Sequence, residues 1–181
     1  FDLRINNVYI YQCYVWSATP PYSCTSNYRM KIIITDTVSY DGKKYSQYSR
    51  QVILIQGNCN LETFMFPFNI GSYNLIRLDT LSGKIYYYNP GNSCVYSPNE
   101  TMIDSLSSLL NDTVKINCVP IQYSYFCIDT TGKRKYRDGS NYARREYIRG
   151  IGLYNNYRYM LMSGTQKINE QLLLGSVING V

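Results

Sequence analysis

The chain has 181 residues, 45% of them hydrophobic and only 17% charged, with a formal net charge of +6. That composition excludes a disordered, highly charged segment and gives enough chain for one domain with a sizeable core. Histidine is absent, which removes Ser-His-Asp and Cys-His catalysis, histidine metal ligation and histidine pH switching together.

Taken in chain order, most segments read as strands, because Tyr, Ile, Val and Thr recur in the alternation that suits a half-buried pleated surface. The runs are Val8 to Trp16, Tyr28 to Thr35, Tyr48 to Gln56, Asn74 to Asp79 and Lys84 to Tyr88. After them come Val114 to Cys118, Ile121 to Ile128, Arg145 to Leu153, Tyr157 to Met162 and Gln171 to Ile178. Turn signals separate them at the spacing of an antiparallel all-β fold. Three of these turns echo one another: Asp36-Thr37 with Asp41-Gly42-Lys43 and Tyr45, Asp79-Thr80 with Ser82-Gly83-Lys84 and Tyr86, and Asp129-Thr130 with Thr131-Gly132-Lys133 and Tyr136. In each, Asp or Thr bonds nearby backbone and Gly supplies the positive φ of a hairpin, so they read as three ordinary hairpin turns. One stretch breaks the β pattern. Ser97-Pro98-Asn99-Glu100 has the form of a capping box, and Met102, Ile103, Leu106, Leu109 and Leu110 follow at helical spacing. The expectation is one short helix from Pro98 to Asn111 on a mainly β fold: an antiparallel sheet, β-sandwich or half-barrel forming a single secreted domain over residues 1–181.

The six cysteines, Cys13, Cys24, Cys59, Cys94, Cys118 and Cys127, include no C-x-x-C pair, so neither a zinc site nor a redox motif is expected. Their even number and wide spread fit disulfides in an oxidising compartment. Short loops favour Cys13–Cys24 and Cys118–Cys127, leaving Cys59–Cys94; buried thiols packing as small hydrophobes are the alternative. The chain begins at Phe1 rather than Met, as a product does after removal of a signal peptide. No apolar run approaches the ~20 residues of a spanning helix, so no transmembrane segment is expected. Asn99 and Asn111 head N-glycosylation sequons. Together these features point to a secreted or cell-surface location.

Candidate chemistry is sparse. Asp36, Asp41, Asp79, Asp129 and Asp138 all stand in turn-forming contexts, where Asp is common for backbone reasons. Gly150-Ile-Gly152 lacks the third glycine of a dinucleotide loop. No enzyme, metal or cofactor is expected. Between Asp129 and Arg149 lie seven basic and three acidic residues, and Lys133, Arg134, Lys135, Arg137, Arg144 and Arg145 are the candidates for contacting an anionic cell surface or acidic glycans, in preference to nucleic acid. The same residues also read as a solvated hairpin whose charges block edge pairing. Twenty-one tyrosines cannot all be core, since each buried hydroxyl demands a partner. Clusters such as Tyr86-Tyr87-Tyr88 and Tyr154, Tyr157 and Tyr159 therefore put rings on the surface, where rigid amphipathic side chains bind well; codon usage in an A/T-rich genome is the plain alternative.

Asp36 to Tyr45, Ile76 to Tyr88, Asn111 to Lys115, Glu146 to Gly152 and Leu173 to Gly180, taken in order, resemble segments of secreted proteins of Bacteroidota and Ignavibacteria exported by type IX secretion. Asp36 to Tyr45 looks like their "GDT-x-I-N-G-K-x-Y" hairpin, and Ile76 to Thr80 with Gly83 to Tyr88 resembles the strand pair that follows it. Asn111 to Lys115, Glu146 to Gly152 and Leu173 to Gly180 are similar to "GDTV", "EyIeGIG" and "LLGaxINGxxYG". A narrower resemblance, through Tyr40 to Gly42, Ile85-Tyr86, Cys94 and Cys118 to Pro120, is to ependymin-related proteins, and implies a curved antiparallel sheet cupping a hydrophobic pocket. The functional expectation is a non-enzymatic surface protein acting by adhesion or self-assembly. Its partner would be another copy, joined edge to edge through the strand-like ends Phe1 to Tyr11 and Gln171 to Val181; pairing of both ends within one chain is the equal alternative. The alternative is a carrier holding an apolar, lipid-like ligand in the pocket of a curved sheet.

Overall fold

The computed structural model describes residues 2–19, 22–59, 73–90, 99–107, 113–116, 119–122, 143–148, 151–162 and 165–178. All regular structure among them is strand. In chain order these are β1 (Val8–Thr19), β2 (Tyr22–Tyr40), β3 (Lys43–Gly57), β4 (Leu75–Asp79), β5 (Lys84–Tyr88), β6 (Glu100–Ser105), β7 (Thr113–Ile116), β8 (Val119–Gln122), β9 (Ala143–Ile148), β10 (Gly152–Met162) and β11 (Thr165–Val177). Nine of them form one antiparallel sheet in the order β6-β5-β4-β3-β2-β1-β11-β10-β9, and β7 pairs with β8 beside β6.

Period-two patterning decides which face is core. Along β1, Tyr9, Tyr11, Cys13 and Val15 are buried; along β2, Tyr28, Met30, Ile32 and Ile34 are buried while Arg29 and Lys31 are exposed. The wall continues through Tyr48, Ile76, Ile85 and Tyr87 to Ile103 on one side, and through Leu153 to Tyr147 on the other. Turn chemistry sets the hairpins. Asp41 and Gly42 both take positive φ, +50° and +72°, in the two-residue connection from β2 to β3. Between β4 and β5, Asp79 Oδ1 accepts from the Leu81 backbone N–H at 3.1 Å and Gly83 adopts φ +66°.

The fold class stands as an antiparallel, curled half-barrel, but four details of the sequence reading are corrected. The expected helix from Pro98 is strand β6 over Glu100–Ser105, because Glu100 does not cap a helix: it accepts hydrogen bonds from Arg77, Lys43 and Tyr45 across the sheet. The single strand expected over Arg145 to Leu153 is two, β9 and β10, with Ile151 N–H donating to Ile148 C=O at 3.2 Å and Gly152 at φ +126°. The chain's end segments are not edges. β1 pairs with β11 in the middle of the sheet, Cys13 lying opposite Gln171, and the described edges are β6 and β9.

The fourth correction concerns the disulfides. Cys24 is bonded to Cys59, with Cα atoms 5.1 Å apart, and Cys13 is a buried thiol outside that bridge. The β1–β2 register explains this. Cys13 faces Tyr28 while Cys24 faces Ser17, so the expected Cys13–Cys24 partners stand four rungs apart, roughly 13 Å at strand rise, beyond disulfide reach. Cys59 is thereby taken from the expected Cys59–Cys94 pair. Cys94, Cys118 and Cys127 lie outside the described residues.

Candidate ligand-binding site

The sheet curls until its two edges meet. The device is a bulge in β6: Ile85 pairs with Asp104 and Tyr86 with Met102, so Ile103 is the extra residue. That extra residue turns Asp104 to the same face as the buried Ile85. There the Asp104 carboxylate accepts hydrogen bonds from the Tyr147 hydroxyl and from Arg145 Nη1 at 3.2 Å, and the same Nη1 donates to Ile103 C=O at 2.9 Å. Tyr147 and Arg145 belong to β9, so one buried ion pair and its hydrogen bonds tie the first strand of the sheet order to the last.

Most of the concave wall is apolar, its charged members including the paired Asp104 and Arg145, Arg50 opposite Ile32 and Lys167 opposite Ser17. Burial pushes the Cys13 thiol up to about 12. Burial likewise pushes the hydroxyls of Tyr9, Tyr48 and Tyr87 up to about 12, and holds Tyr11 well above its ordinary value. All of them are neutral at physiological pH. Tyr9 donates to Asp2 C=O and Tyr11 to Leu153 C=O at 3.2 Å, and on the same wall Tyr28 donates to Cys59 C=O.

Register places one polar row across this wall. Tyr28, Cys13, Gln171, Asn156 and Arg145 are successive cross-strand partners on β2, β1, β11, β10 and β9. Gln171 is 2% exposed, and neither its Nε2 nor its Oε1 has a hydrogen-bond partner. One rung pair along β11, Asn169 lies opposite Val15 on the same face, and its Nδ2 is also unpartnered. Buried amides are satisfied in the great majority of native sites, so this pair, like the Asn155 Oδ1 nearby on β10, stands out for its unmet hydrogen bonds.

The convex face carries a different cluster. Glu100 is 2% exposed, and Arg77 grips it through Nε at 2.9 Å and Nη2 at 3.1 Å, while Tyr45 donates at 2.6 Å and Lys43 completes the set. Burial pushes the Glu100 carboxyl upward, but these three donors together hold it below its ordinary value. Over it, Tyr40 stacks on Tyr88 at 4.7 Å between centroids, and Tyr45 and Tyr73 meet Tyr88 edge-on at 5.6 and 5.3 Å. Tyr40 and Tyr73 keep exposed rings.

Of the residues singled out from sequence, Lys133, Arg134, Lys135, Arg137 and Asn111 lie outside the described residues, and Arg144 falls in β9. Arg145 was expected on an anionic-binding surface; the structure turns it inward onto Asp104, where it locks the curl. Asn99 stands beside the β2–β3 turn, donating from Nδ2 to Asp41 Oδ2 at 2.9 Å. Sequence reasoning missed Asp104, Glu100 and Gln171. No local signal marks Asp104, whose direction depends on the bulge. Gln171 has one, a lone amide heading the apolar run Leu172-Leu173-Leu174. Among the described residues no group of three acidic or cysteine side chains could hold a metal ion.

No family model matches the chain, and no curated protein matches it. Among solved structures it is similar to a DUF1329 family protein from Desulfovibrio piger, at 8% identity and a TM-score of 0.25, over 97% of this chain and 86% of the other. It is also similar to a putative outer membrane lipoprotein-sorting protein domain from Vibrio parahaemolyticus, at 11% identity and a TM-score of 0.22, over 96% and 86%. At these values neither likeness bears on what this chain does.

Proposed function

We propose that the protein is a non-enzymatic carrier that holds an apolar ligand against the concave face of its curled sheet, in an oxidising compartment outside the cytoplasm. The observation that carries the reading is the joining of β6 to β9 through Asp104, which bends a nine-stranded sheet around a largely apolar wall of Tyr, Ile and Met side chains. The curl turns Met30, Ile32, Ile76 and Ile85 to its inner face, a lining of the kind that suits a lipid-like molecule. The Cys24–Cys59 bridge supports the compartment, since such bonds persist where thiols are not kept reduced. Titration with the neutral fluorophore N-phenyl-1-naphthylamine tests the reading. Saturable one-to-one binding, competed by long-chain aliphatic compounds, is expected; absence of saturable binding to the folded chain overturns it.

Adhesion through tyrosine faces is the second reading, and the exposed Tyr40 and Tyr73 rings held on Tyr88 are the observation in its favour. The two readings separate cleanly. Changing Tyr40 and Tyr73 to Ala abolishes attachment to glycan-coated surfaces if adhesion is the function, and leaves fluorophore binding intact if the protein is a carrier.

A further inference from the structure

An apolar wall alone does not discriminate among apolar ligands; the buried amides on β11 do. We propose that Gln171, assisted by Asn169, is the polar anchor of the concave site and selects a long-chain ligand with an uncharged head that both donates and accepts hydrogen bonds: a fatty amide, a fatty alcohol or a monoacylglycerol. The inference rests on the carrier reading and adds the chemistry of the head group.

Three features define that chemistry. Gln171 is 2% exposed and offers an unpartnered donor, Nε2, together with an unpartnered acceptor, Oε1, while Asn169 adds a second donor, Nδ2. A group that satisfies Oε1 must carry an N–H or O–H, which an alkane, an ester or an ionised carboxylate lacks. With Asp104 counted, the row carries no net charge either. Arg145, its one charged member, is held by Asp104 and by Ile103 C=O, and Cys13 and Tyr11 beside it are kept neutral by burial. At Gln171 itself the cross-strand neighbours, Cys13 and Asn156, carry no charge, so an ionised head placed there is desolvated with no counter-charge directly opposite. The tail has its own path. Leu173, next on the same face of β11, stands opposite Tyr11, and Tyr11 stands opposite Met30, so an aliphatic chain leaving Gln171 runs along apolar wall.

A site built to hydrogen-bond a head group discriminates strongly against analogues that leave its buried groups unpaired. The test compares 1-monooleoylglycerol, oleamide, oleate and hexadecane by displacement of N-phenyl-1-naphthylamine from the wild-type chain and from Gln171→Met. Methionine keeps the length of glutamine and removes both polar atoms. Wild-type protein is expected to prefer monooleoylglycerol and oleamide to hexadecane and to oleate by tenfold or more. In Gln171→Met that preference falls about tenfold while hexadecane binds as before or better, and the melting temperature holds or rises because an unpaired amide is gone. If the variant fails to fold, Asn169→Leu carries the same comparison with about a threefold loss. Equal preference in wild type and variant overturns the anchor and leaves the carrier standing, as does a wild type that favours oleate. A wild type that binds none of the four and no fluorophore overturns the carrier reading and the anchor with it.

Discussion

Replacing Asp104 by Ala removes the link between the two ends of the sheet, and its cost can be worked from the geometry. The Asp104 side chain is 3% exposed and that of Arg145 14% exposed, so the pair counts as buried, where breaking one partner costs about 3–5 kcal/mol. Part of that is the Tyr147 hydroxyl, which loses a hydrogen bond to a charged acceptor worth roughly 1.5–3 kcal/mol. Part is recovered, because Arg145 Nη1 keeps its bond to Ile103 C=O at 2.9 Å. A net loss of about 3 kcal/mol follows, equivalent to roughly 6–12 °C of melting temperature at this chain length. Asp104→Asn, which retains an acceptor for Tyr147, loses about half as much. Thermal and urea denaturation give the magnitude. Hydrogen exchange gives the place: amides of β6 and β9 lose protection before those of β1, β2 and β11. An Asp104→Ala chain as stable as wild type, or one losing protection uniformly, refutes the account of how the sheet is held curled.

Three further outcomes follow from individual contacts. Glu100→Gln costs about 2–3 kcal/mol at pH 7 in denaturant melts, the share from half-exposed Lys43 being small. Because the folded Glu100 carboxyl is held below its ordinary value, its stabilisation is complete above about pH 4.3 and is lost as pH falls through the folded value; wild-type melting temperature therefore drops across that acid window more steeply than that of Glu100→Gln. Reducing the Cys24–Cys59 bridge, which closes a sequence separation of 35, costs about 4 kcal/mol by loop entropy, whereas Cys13 in the folded chain resists alkylation at pH 8 because burial keeps it a thiol. Gly57→Ala destabilises by about 3 kcal/mol in the same melts, since a Cβ there lies 2.0 Å from Thr25 C=O at φ +114°.

How far the sequence could be read depended on whether the signal was local. β1, β2 and β5 were legible because alternation of Tyr9, Tyr11, Cys13 and Val15, or of Ile85 and Tyr87, needs only the strand period. The Asp41-Gly42 and Gly83 turns were legible because positive φ selects those residues. The helix expected from Pro98 failed because Glu100 reads the same way as a capping acid or as a buried partner for an arginine, and Arg77 lies 23 positions away. Tertiary pairing overrode a local preference. Short loops misdirected the cysteine pairing because register, which puts Cys13 against Tyr28, is a long-range property. The polar anchor shows the limit most sharply. Gln171 heads the apolar run Leu172 to Leu174 in sequence, but its burial follows only from the register that sets Cys13 on one side of it and Asn156 on the other.

The carrier reading meets its most direct test in native mass spectrometry of the chain secreted from a living host and purified without detergent. The expected species is a complex heavier than the polypeptide by one amphiphile with an uncharged head, released on denaturation and recovered by organic extraction. A mass equal to the disulfide-bonded polypeptide alone, unchanged after incubation with monooleoylglycerol vesicles, contradicts it.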